Sequence, residues 1–178
     1  MSLTLSGAGT ISGVNPAGVS SNQTGKVLQV VRYETGTYQT GSTGNFPPTS
    51  MSTAPTSSGG DQFMAVSITP VSATSTLFVQ VNFILAANGA VNVGCGLFKD
   101  AASAPFATTW VLTTGAGYGM NVSFSGSVTA GSTASTSIKL RAGQAANTGY
   151  TVYMNGYSGS AYFGGLLTSS LTVTEIAV

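Results

Sequence analysis

The chain has 178 residues, of which 42% are hydrophobic and only 5% are charged, and its formal net charge is +1. This length supports one domain with its own core rather than two. The 5 Lys and Arg residues cannot form the basic stripe that nucleic acids require, and no run of about 18 apolar residues predicts a membrane span. We therefore expect neither nucleic acid nor membrane as a partner.

The first 25 residues, MSLTLSGAGTISGVNPAGVSSNQTG, are small and polar, with too few large side chains to bury a face. This composition is typical of a linker. We predict an extended N-terminal attachment arm over 1–25, followed by a β-sandwich domain over 26–178. Alternating apolar residues in the arm are compatible with an added strand on the open sheet edge of a neighbour. The candidate anchor residues are Leu3, Leu5, Ile11 and Val14.

The rest of the chain is predicted to be all-β, because no window combines the apolar spacing of an amphipathic helix with good helix formers. In TLFVQVNFILA (76–86), Leu77, Val79 and Val81 share one face of a strand, while Gln80 lies on the other. Turn-forming clusters separate nine such segments. The predicted strands are 26–34, 62–69, 76–86, 91–99, 108–112, 120–128, 135–141, 149–155 and 170–178. They favour an antiparallel β-sandwich of the jelly-roll type, with an immunoglobulin-like sandwich as the alternative.

Several residues between and within these strands carry their own expectations. On the second face of 76–86, Phe78 and Ile84 predict that this face is partly covered. A long loop over 35–61 is expected to be functional or ordered by a neighbour. The single cysteine, Cys95, excludes an intrachain disulfide and is expected to be a small buried core residue. The glycines are expected to mark turns.

The composition leaves little room for catalysis. The chain has no His, which removes the usual general base and the commonest metal ligand. The acidic residues are Glu34, Asp61, Asp100 and Glu175, and their spacing suggests neither a glycosidase pair nor a metal site. We expect no enzyme activity, no catalytic residue, no metal and no cofactor. Glu175 is expected to form an ion pair with a Lys or Arg, and Lys139 and Arg141 to lie on a solvated edge without partners.

One aromatic cluster is a candidate binding surface, in the segment GYTVYMNGYSGSAYFGG over 149–165. Aromatic faces beside amide groups can form platforms for sugars or proteins. The candidate glycan or partner residues are Tyr153, Asn155, Tyr157 and Tyr162. The alternative is that Tyr150 packs inward with Val152 and Met154, while the other tyrosines lie at a subunit contact.

Four segments, GKVLQVVRYET, MAVSITPVSATSTLFVQVNF, GLFKDAASAP and the closing SSLTVTEIAV, resemble a family of phage virion proteins. This family is common in tail fibres and capsid-surface proteins of cyanophages and other aquatic phages. The resemblance covers residues 25–178, and it implies a β-sandwich that trimerises and is displayed on the virion. The matched positions are Gly25, Lys26, Leu28 and Gln29, then Ser67 to Pro70, and then Leu97 to Asp100.

The sequence therefore predicts a phage virion structural protein, either a capsid decoration (cement) protein or a small spike. We expect a homotrimer at the virion surface, anchored by its arm to the capsid or to another virion protein. The first alternative is a tail-fibre or receptor-binding protein that recognises host surface glycans. An independent lectin-like module and a depolymerase are further alternatives.

Overall fold

The computed structural model describes residues 4–5, 11–12, 25–47, 52–145 and 149–178. Within these ranges the strands are β1 (Thr4–Leu5), β2 (Ile11–Ser12), β3 (Val27–Thr35), β4 (Gln39–Gly41), β5 (Asp61–Ile68), β6 (Thr76–Ala87), β7 (Asn92–Lys99), β8 (Ala107–Leu112), β9 (Met120–Thr129), β10 (Thr136–Gln144), β11 (Val152–Met154), β12 (Gly156–Tyr157), β13 (Ser160–Ala161) and β14 (Ser169–Ile176). A short 3-10 helix spans Tyr162–Gly165. No helix in the described ranges has the length and apolar character needed to cross a membrane.

The eight long strands form a jelly roll, as predicted. Sheet 1 has the order β3-β14-β6-β9, and sheet 2 has the order β5-β10-β7-β8. Among these eight strands, counted along the chain, the first pairs with the last, the second with the seventh, the third with the sixth, and the fourth with the fifth. All of these pairs are antiparallel, as in one long hairpin folded over into two sheets. The pairing of β14 with β6 ends at Asn82. From Leu85 to Ala87, β6 pairs with β11, and β11 pairs in turn with β4, so these two short strands extend sheet 1.

The core lies between the two sheets and follows the predicted alternation. The inward side chains of β6, from Leu77 to Leu85, are at most 4% exposed. They meet Leu97 and Leu140 of sheet 2 in one apolar cluster. Cys95 is buried in the same cluster, and burial raises the pKa of its thiol to about 12. The prediction that Cys95 is a small core residue is therefore confirmed.

Part of the predicted long loop covers the outer face of sheet 2. Phe46, from that loop, is fully buried there, with its ring 6.0 Å from the ring of Phe98. Two glycines inside strands make room for it: a Cβ on Gly96 would lie 3.0 Å from Phe46 Cζ, and a Cβ on Gly143 would lie 3.0 Å from Phe46 Cβ. The expectation that glycines only mark turns is wrong here, because these two glycines lie within strands and leave the space that the Phe46 side chain occupies.

The two cations of β10 also bind backbone carbonyls on this face: Arg141 holds the end of the covering segment, and Lys139 holds the turn after β7. The Arg141 guanidinium donates from Nε to the Gly59 carbonyl at 3.1 Å and from Nη2 to the Gly60 carbonyl at 2.6 Å. Lys139 Nζ donates to the Asp100 carbonyl at 2.8 Å. The expectation of an unpartnered edge is wrong, because β10 lies between β5 and β7, so chain packed on the sheet comes within reach of both side chains.

Glu175, near the end of β14, is a buried carboxylate with four donor residues. It accepts hydrogen bonds from Gln29 Nε2 at 2.6 Å, Val71 N at 2.9 Å, Ser72 N at 3.2 Å and Ser75 Oγ at 2.5 Å. Burial alone would raise the pKa of this carboxyl, but the hydrogen bonds outweigh burial and lower it. Among the described residues no salt bridge reaches Glu175, so the predicted ion pair is wrong. Backbone N–H groups of the 70–75 turn take the place of the expected cation.

The described parts of the predicted arm are two short strands that pair with each other. β1 and β2 are antiparallel, with Leu5 opposite Ile11. The other two candidate anchor residues, Leu3 and Val14, lie outside the described residues. The division into an arm over 1–25 and a domain over 26–178 stays a prediction, as does the docking of the arm on a neighbour.

Candidate functional site at the aromatic end

Most of the tyrosines gather at one end of the sandwich, where β14 begins. The sequence has 7 Tyr, and five of them lie here, brought from three separate parts of the chain. We call this region the aromatic end and define it by Tyr38, Tyr118, Tyr153, Tyr157, Tyr162, Phe163 and Leu166. The segments that carry it are 36–41, 113–119 and 152–166.

Three of the tyrosine rings contact one another. Val152 and Met154 point into the core, so alternation along β11 turns Tyr153 outward. The Tyr153 ring stacks on Tyr38, with centroids 6.0 Å apart, and meets Tyr157 edge-on at 5.2 Å. Burial, and then the neighbouring Tyr38 and Tyr157, raise the pKa of Tyr153. Tyr153 therefore presents a neutral ring and hydroxyl group at physiological pH.

Asn155 lies beneath this cluster and is fully buried. Its Nδ2 donates to the carbonyls of Thr35 at 2.7 Å and Thr37 at 3.2 Å, and its Oδ1 accepts from Ser169 Oγ at 2.6 Å. Its own backbone is left-handed, with φ of 57°, a conformation that Asn tolerates better than most residues. The amide thus holds three chain segments together and is not exposed for a ligand.

The segment after Asn155 is tied to the loop between β8 and β9. Tyr162 Oη donates to the Gly117 carbonyl at 2.7 Å. A Cβ on Gly117 would lie 3.0 Å from Tyr157 Cδ1, and a Cβ on Gly119 would lie 3.0 Å from Tyr162 Cε2. Burial, and then the neighbouring Tyr157, raise the pKa of Tyr162. Both rings therefore rest on glycine backbone, which lets the two segments approach closely.

The outermost part of the aromatic end is apolar. Phe163 is 79% exposed and Leu166 is 86% exposed. Phe163 has a left-handed backbone, with φ of 48°, and is followed by Gly164 and Gly165, also at positive φ. A groove of 390 Å³ lies beside Phe163. It is lined mainly by Ile84, Gly119, Met120, Tyr162 and Leu167. Such a surface can bind an apolar side chain or the apolar face of a sugar ring.

The structure brings together three of the four predicted site residues, Tyr153, Tyr157 and Tyr162, and places Asn155 under them. Tyr150 is half-buried and packs against the core, as the alternative interpretation expected. Ile84 is only 6% exposed and Phe78 is half-buried, which confirms that the second face of β6 is partly covered.

Sequence reasoning missed Tyr38, Tyr118 and Leu166 as parts of this end. No local pattern indicates that Tyr38 stacks on Tyr153, because their contact depends on the pairing of β4 with β11. For Leu166, the preceding Gly164 and Gly165 were the available signal, since paired glycines often mark a tight turn that exposes its neighbours.

The acidic side chains are all described, and each accepts an internal hydrogen bond. The donors are Arg32 and Thr168 for Glu34, Thr43 for Asp61, Ser137 for Asp100, and the four groups given above for Glu175. Hydrogen bonds from Thr168 and Arg32, together with the Arg32 charge, lower the pKa of Glu34. In the part of the chain that the structure describes, no three His, Cys, Asp or Glu side chains are grouped so that they could hold a metal ion.

No protein-family model and no curated protein sequence matches the chain. Among solved structures, the C-terminal domain of EclA, a sugar-binding protein, is similar at 13% identity and a TM-score of 0.39, over 79% of this chain and 83% of that one. T=1 particles derived from infectious bursal virus are similar at 16% identity and a TM-score of 0.39, over 86% of this chain and 37% of that one. The VP2 subviral particle of infectious bursal disease virus gives 16% identity and a TM-score of 0.35, over 85% and 39%. The chain thus spans less than two fifths of these viral chains, and such low scores carry no argument about function.

Proposed function

We propose that this chain is a phage virion structural protein, a capsid decoration (cement) protein or small spike that forms a homotrimer at the virion surface. The observation that supports this most is the apolar surface at the aromatic end. Phe163 and Leu166 project from a segment that Asn155 and Tyr162 fasten to the body. A fixed, exposed apolar surface of this kind is typical of a protein that contacts another protein.

Two further features support a structural role. Each of the four acidic side chains is engaged in internal hydrogen bonds, so we propose no reaction and no cofactor. The sequence resemblance to phage virion proteins lies in the strands of the jelly roll itself. We propose that the arm over 1–25 attaches this body to the capsid or to another virion protein, through Leu3, Leu5, Ile11 and Val14.

The test of this proposal is a deletion of residues 1–24. We expect the truncated chain to unfold at the same temperature as the full chain but to be missing from assembled particles. Replacement of the four anchor residues by Ser in the full chain is the matched variant, and it should have the same effect. Normal incorporation of both variants would overturn attachment by the arm, and loss of folding on truncation would show that the arm belongs to the core.

The number of copies of this chain in each virion distinguishes the two locations. A number that matches the symmetry of the capsid lattice supports a decoration protein, whereas a number that matches the symmetry of the tail supports a tail fibre.

The second candidate function is recognition of host surface glycans, as in a tail-fibre or receptor-binding protein. The observation that favours it is the partly exposed cluster of Tyr38, Tyr153 and Tyr157, because sugar rings stack on aromatic faces. Tyr153→Ala and Tyr157→Ala should each weaken binding to host polysaccharide by roughly fivefold, which corresponds to about 1 kcal/mol. Tyr33→Ala, on β3 and away from the cluster, is the control. Unchanged binding in both cluster variants would refute this candidate.

A further inference from the structure

A small cleft lies on the outer face of sheet 2, between two chain segments that pack on the sheet. One is the end of the covering segment, at 57–60, and the other is the turn after β7, at 100–102. Ser57 N donates to the Ser103 carbonyl at 2.9 Å, so the two segments are also joined to each other. The cleft holds 290 Å³, just below the range of about 300–1,000 Å³ that is usual for small-ligand sites. It is therefore large enough for one small molecule.

Lys139 and Arg141 lie side by side in this cleft. Ile138 and Leu140 are fully buried in the core, so alternation along β10 turns Lys139 and Arg141 to the outer face. The Cα atoms of residues two apart on a strand are about 7 Å apart. Two of the 5 Lys and Arg residues of the chain thus line a single small cavity.

Both cations have hydrogen-bond donors to spare. A guanidinium has five N–H donors, and Arg141 uses Nε and Nη2 for the carbonyls of Gly59 and Gly60. Its Nη1–Nη2 edge keeps free donors, and an edge of this kind binds a planar carboxylate through two parallel hydrogen bonds. Lys139 uses one of its three donors, for the Asp100 carbonyl. The backbone therefore holds both cations in place without using all of their donors.

The positive charge in the cleft exceeds the negative charge. Among the described residues that line it, Asp100 is the only acid, and its Oδ1 accepts a hydrogen bond from Ser137 N at 2.8 Å. No carboxylate in the described part of the chain forms a salt bridge with Lys139 or Arg141. Both cations are half-buried, and water and salt screen such charges less than fully exposed ones. The cleft is thus suited to an anion.

Uncharged hydrogen-bonding groups also line the cleft. They are the hydroxyl of Ser57 and the amide of Gln62, and neither side chain has a hydrogen-bond partner within the described ranges. An amide both donates and accepts, as does a hydroxyl group. A ligand that uses all of these groups combines a carboxylate with several hydroxyl groups.

We propose that this cleft binds an acidic sugar residue, a hexuronate of a polysaccharide, with its carboxylate on Lys139 and Arg141 and its hydroxyl groups on Ser57 and Gln62. A free inorganic anion would use only the two cations. An acidic side chain of a protein would bring a carboxylate without hydroxyl groups. No residue of the aromatic end lines the cleft, so the inference is independent of glycan binding there and of the virion role.

The test is a nuclear magnetic resonance titration of the full chain, labelled with nitrogen-15 and followed through the amide signals of 57–60 and 100–102. The probes are sodium glucuronate, glucose, sodium sulfate and N-acetyl-aspartate amide, at constant ionic strength. We expect glucuronate to shift these signals and to bind at least fivefold more tightly than sulfate or the aspartate derivative, whereas glucose leaves them unchanged. Equal affinity for glucuronate and sulfate would reject the sugar residue. Tighter binding of the aspartate derivative would reject it in favour of a protein partner.

The main variant is Lys139→Gln, which should weaken glucuronate binding by roughly tenfold because a charge-assisted hydrogen bond is lost. Lys26→Gln is the matched control. It removes the same charge at an exposed position that does not line the cleft, and it should bind as the wild type does.

The second variant is Gln62→Ala, and it keeps the proposal testable if thermal unfolding shows that Lys139→Gln does not fold. Gln62 is exposed and has no side-chain hydrogen bond in the described structure, so the fold does not depend on it. This variant should weaken glucuronate binding by roughly threefold and leave sulfate binding unchanged. Glucuronate binding that is unaffected in either folded variant would overturn the proposal.

Discussion

The two ends of β14 are each organised around one buried polar side chain, and the two side chains have opposite hydrogen-bonding character. At the start of the strand, Ser169 bonds to Asn155, whose amide donates to two carbonyl oxygens. At the far end, the carboxylate of Glu175 accepts hydrogen bonds from two backbone N–H groups and from two side chains. One end therefore depends on a neutral donor and the other on an anionic acceptor.

The difference reflects what each chain segment leaves unpaired. The turn after β5 offers the N–H groups of Val71 and Ser72, which need an acceptor, and a carboxylate supplies several lone pairs. The segment after β3 offers the carbonyls of Thr35 and Thr37, which need a donor. Buried backbone groups require partners, so each segment selects the side chain that supplies them. Substitutions that exchange donor for acceptor should therefore be costly at both ends, and in both cases the stability difference from the wild type should shrink as the pH falls.

The largest effect is expected for Asn155→Asp, which we predict to destabilise the fold by about 3–5 kcal/mol at pH 7. The new carboxylate cannot donate to the carbonyls of Thr35 and Thr37, and its charge would be buried beside them. Lowering the pH toward 4 should recover part of this loss, because protonation removes the charge. Urea unfolding at several pH values measures this. Asn155→Ala is the control and should show no such pH dependence; a recovery of equal size in this control would contradict the argument.

The next largest effect is expected for Glu175→Gln, at about 2–3 kcal/mol at pH 7. The hydrogen bonds lower the pKa of Glu175 in the folded state, so its contribution is fully present above the unfolded value of about 4.3. That contribution is lost as the pH falls through the lower folded pKa. The stability difference between wild type and variant should therefore narrow between pH 5 and pH 2, as thermal unfolding would show. A difference that stays constant over this range would refute the role of the charge.

A smaller effect is expected for Ser169→Ala, at about 1–2 kcal/mol. The Ser169 hydroxyl donates to Asn155 Oδ1 and accepts from Ile84 N at 2.9 Å, so its removal leaves both groups short of a partner. The change should be confined to the aromatic end. Amide hydrogen exchange should increase in 155–168 and stay unchanged in the 70–75 turn. Equal increases in both segments would mean that the two ends are coupled through β14.

The smallest effect is expected for Phe163→Gly, which we predict to stabilise the isolated chain by about 1 kcal/mol. Phe163 is 79% exposed, so its side chain contributes little to the stability of the fold. Its left-handed backbone conformation is strained for a residue with a Cβ, and glycine would remove that strain. Thermal unfolding of the purified chain measures the gain. Phe163→Ala keeps the strain and is the control, so it should not be stabilised. A loss of stability in the Gly variant would show that the ring is needed for folding.

The strands could be predicted because their evidence is local. Alternation in 76–86 placed Leu77 and Val79 inside and Gln80 outside, and β6 confirms this. β12 and β13 have two residues each, too few for any alternation to be read. Tyr153, Tyr157 and Tyr162 were predicted as one surface because they are close in sequence. The burial of Asn155 could not be predicted, because its partners come from β3 and β14.

The sequence by itself determined the all-β class, the positions of the long strands and the lack of histidine chemistry. These properties depend on composition and on contacts between residues a few positions apart. Tertiary structure alone decided that Phe46 rests on glycines of β7 and β10, that Glu175 bonds to a turn rather than to a cation, and that the two cations of β10 line one cleft. Those contacts join segments far apart in the chain, and the register of the folded sheets brings them together.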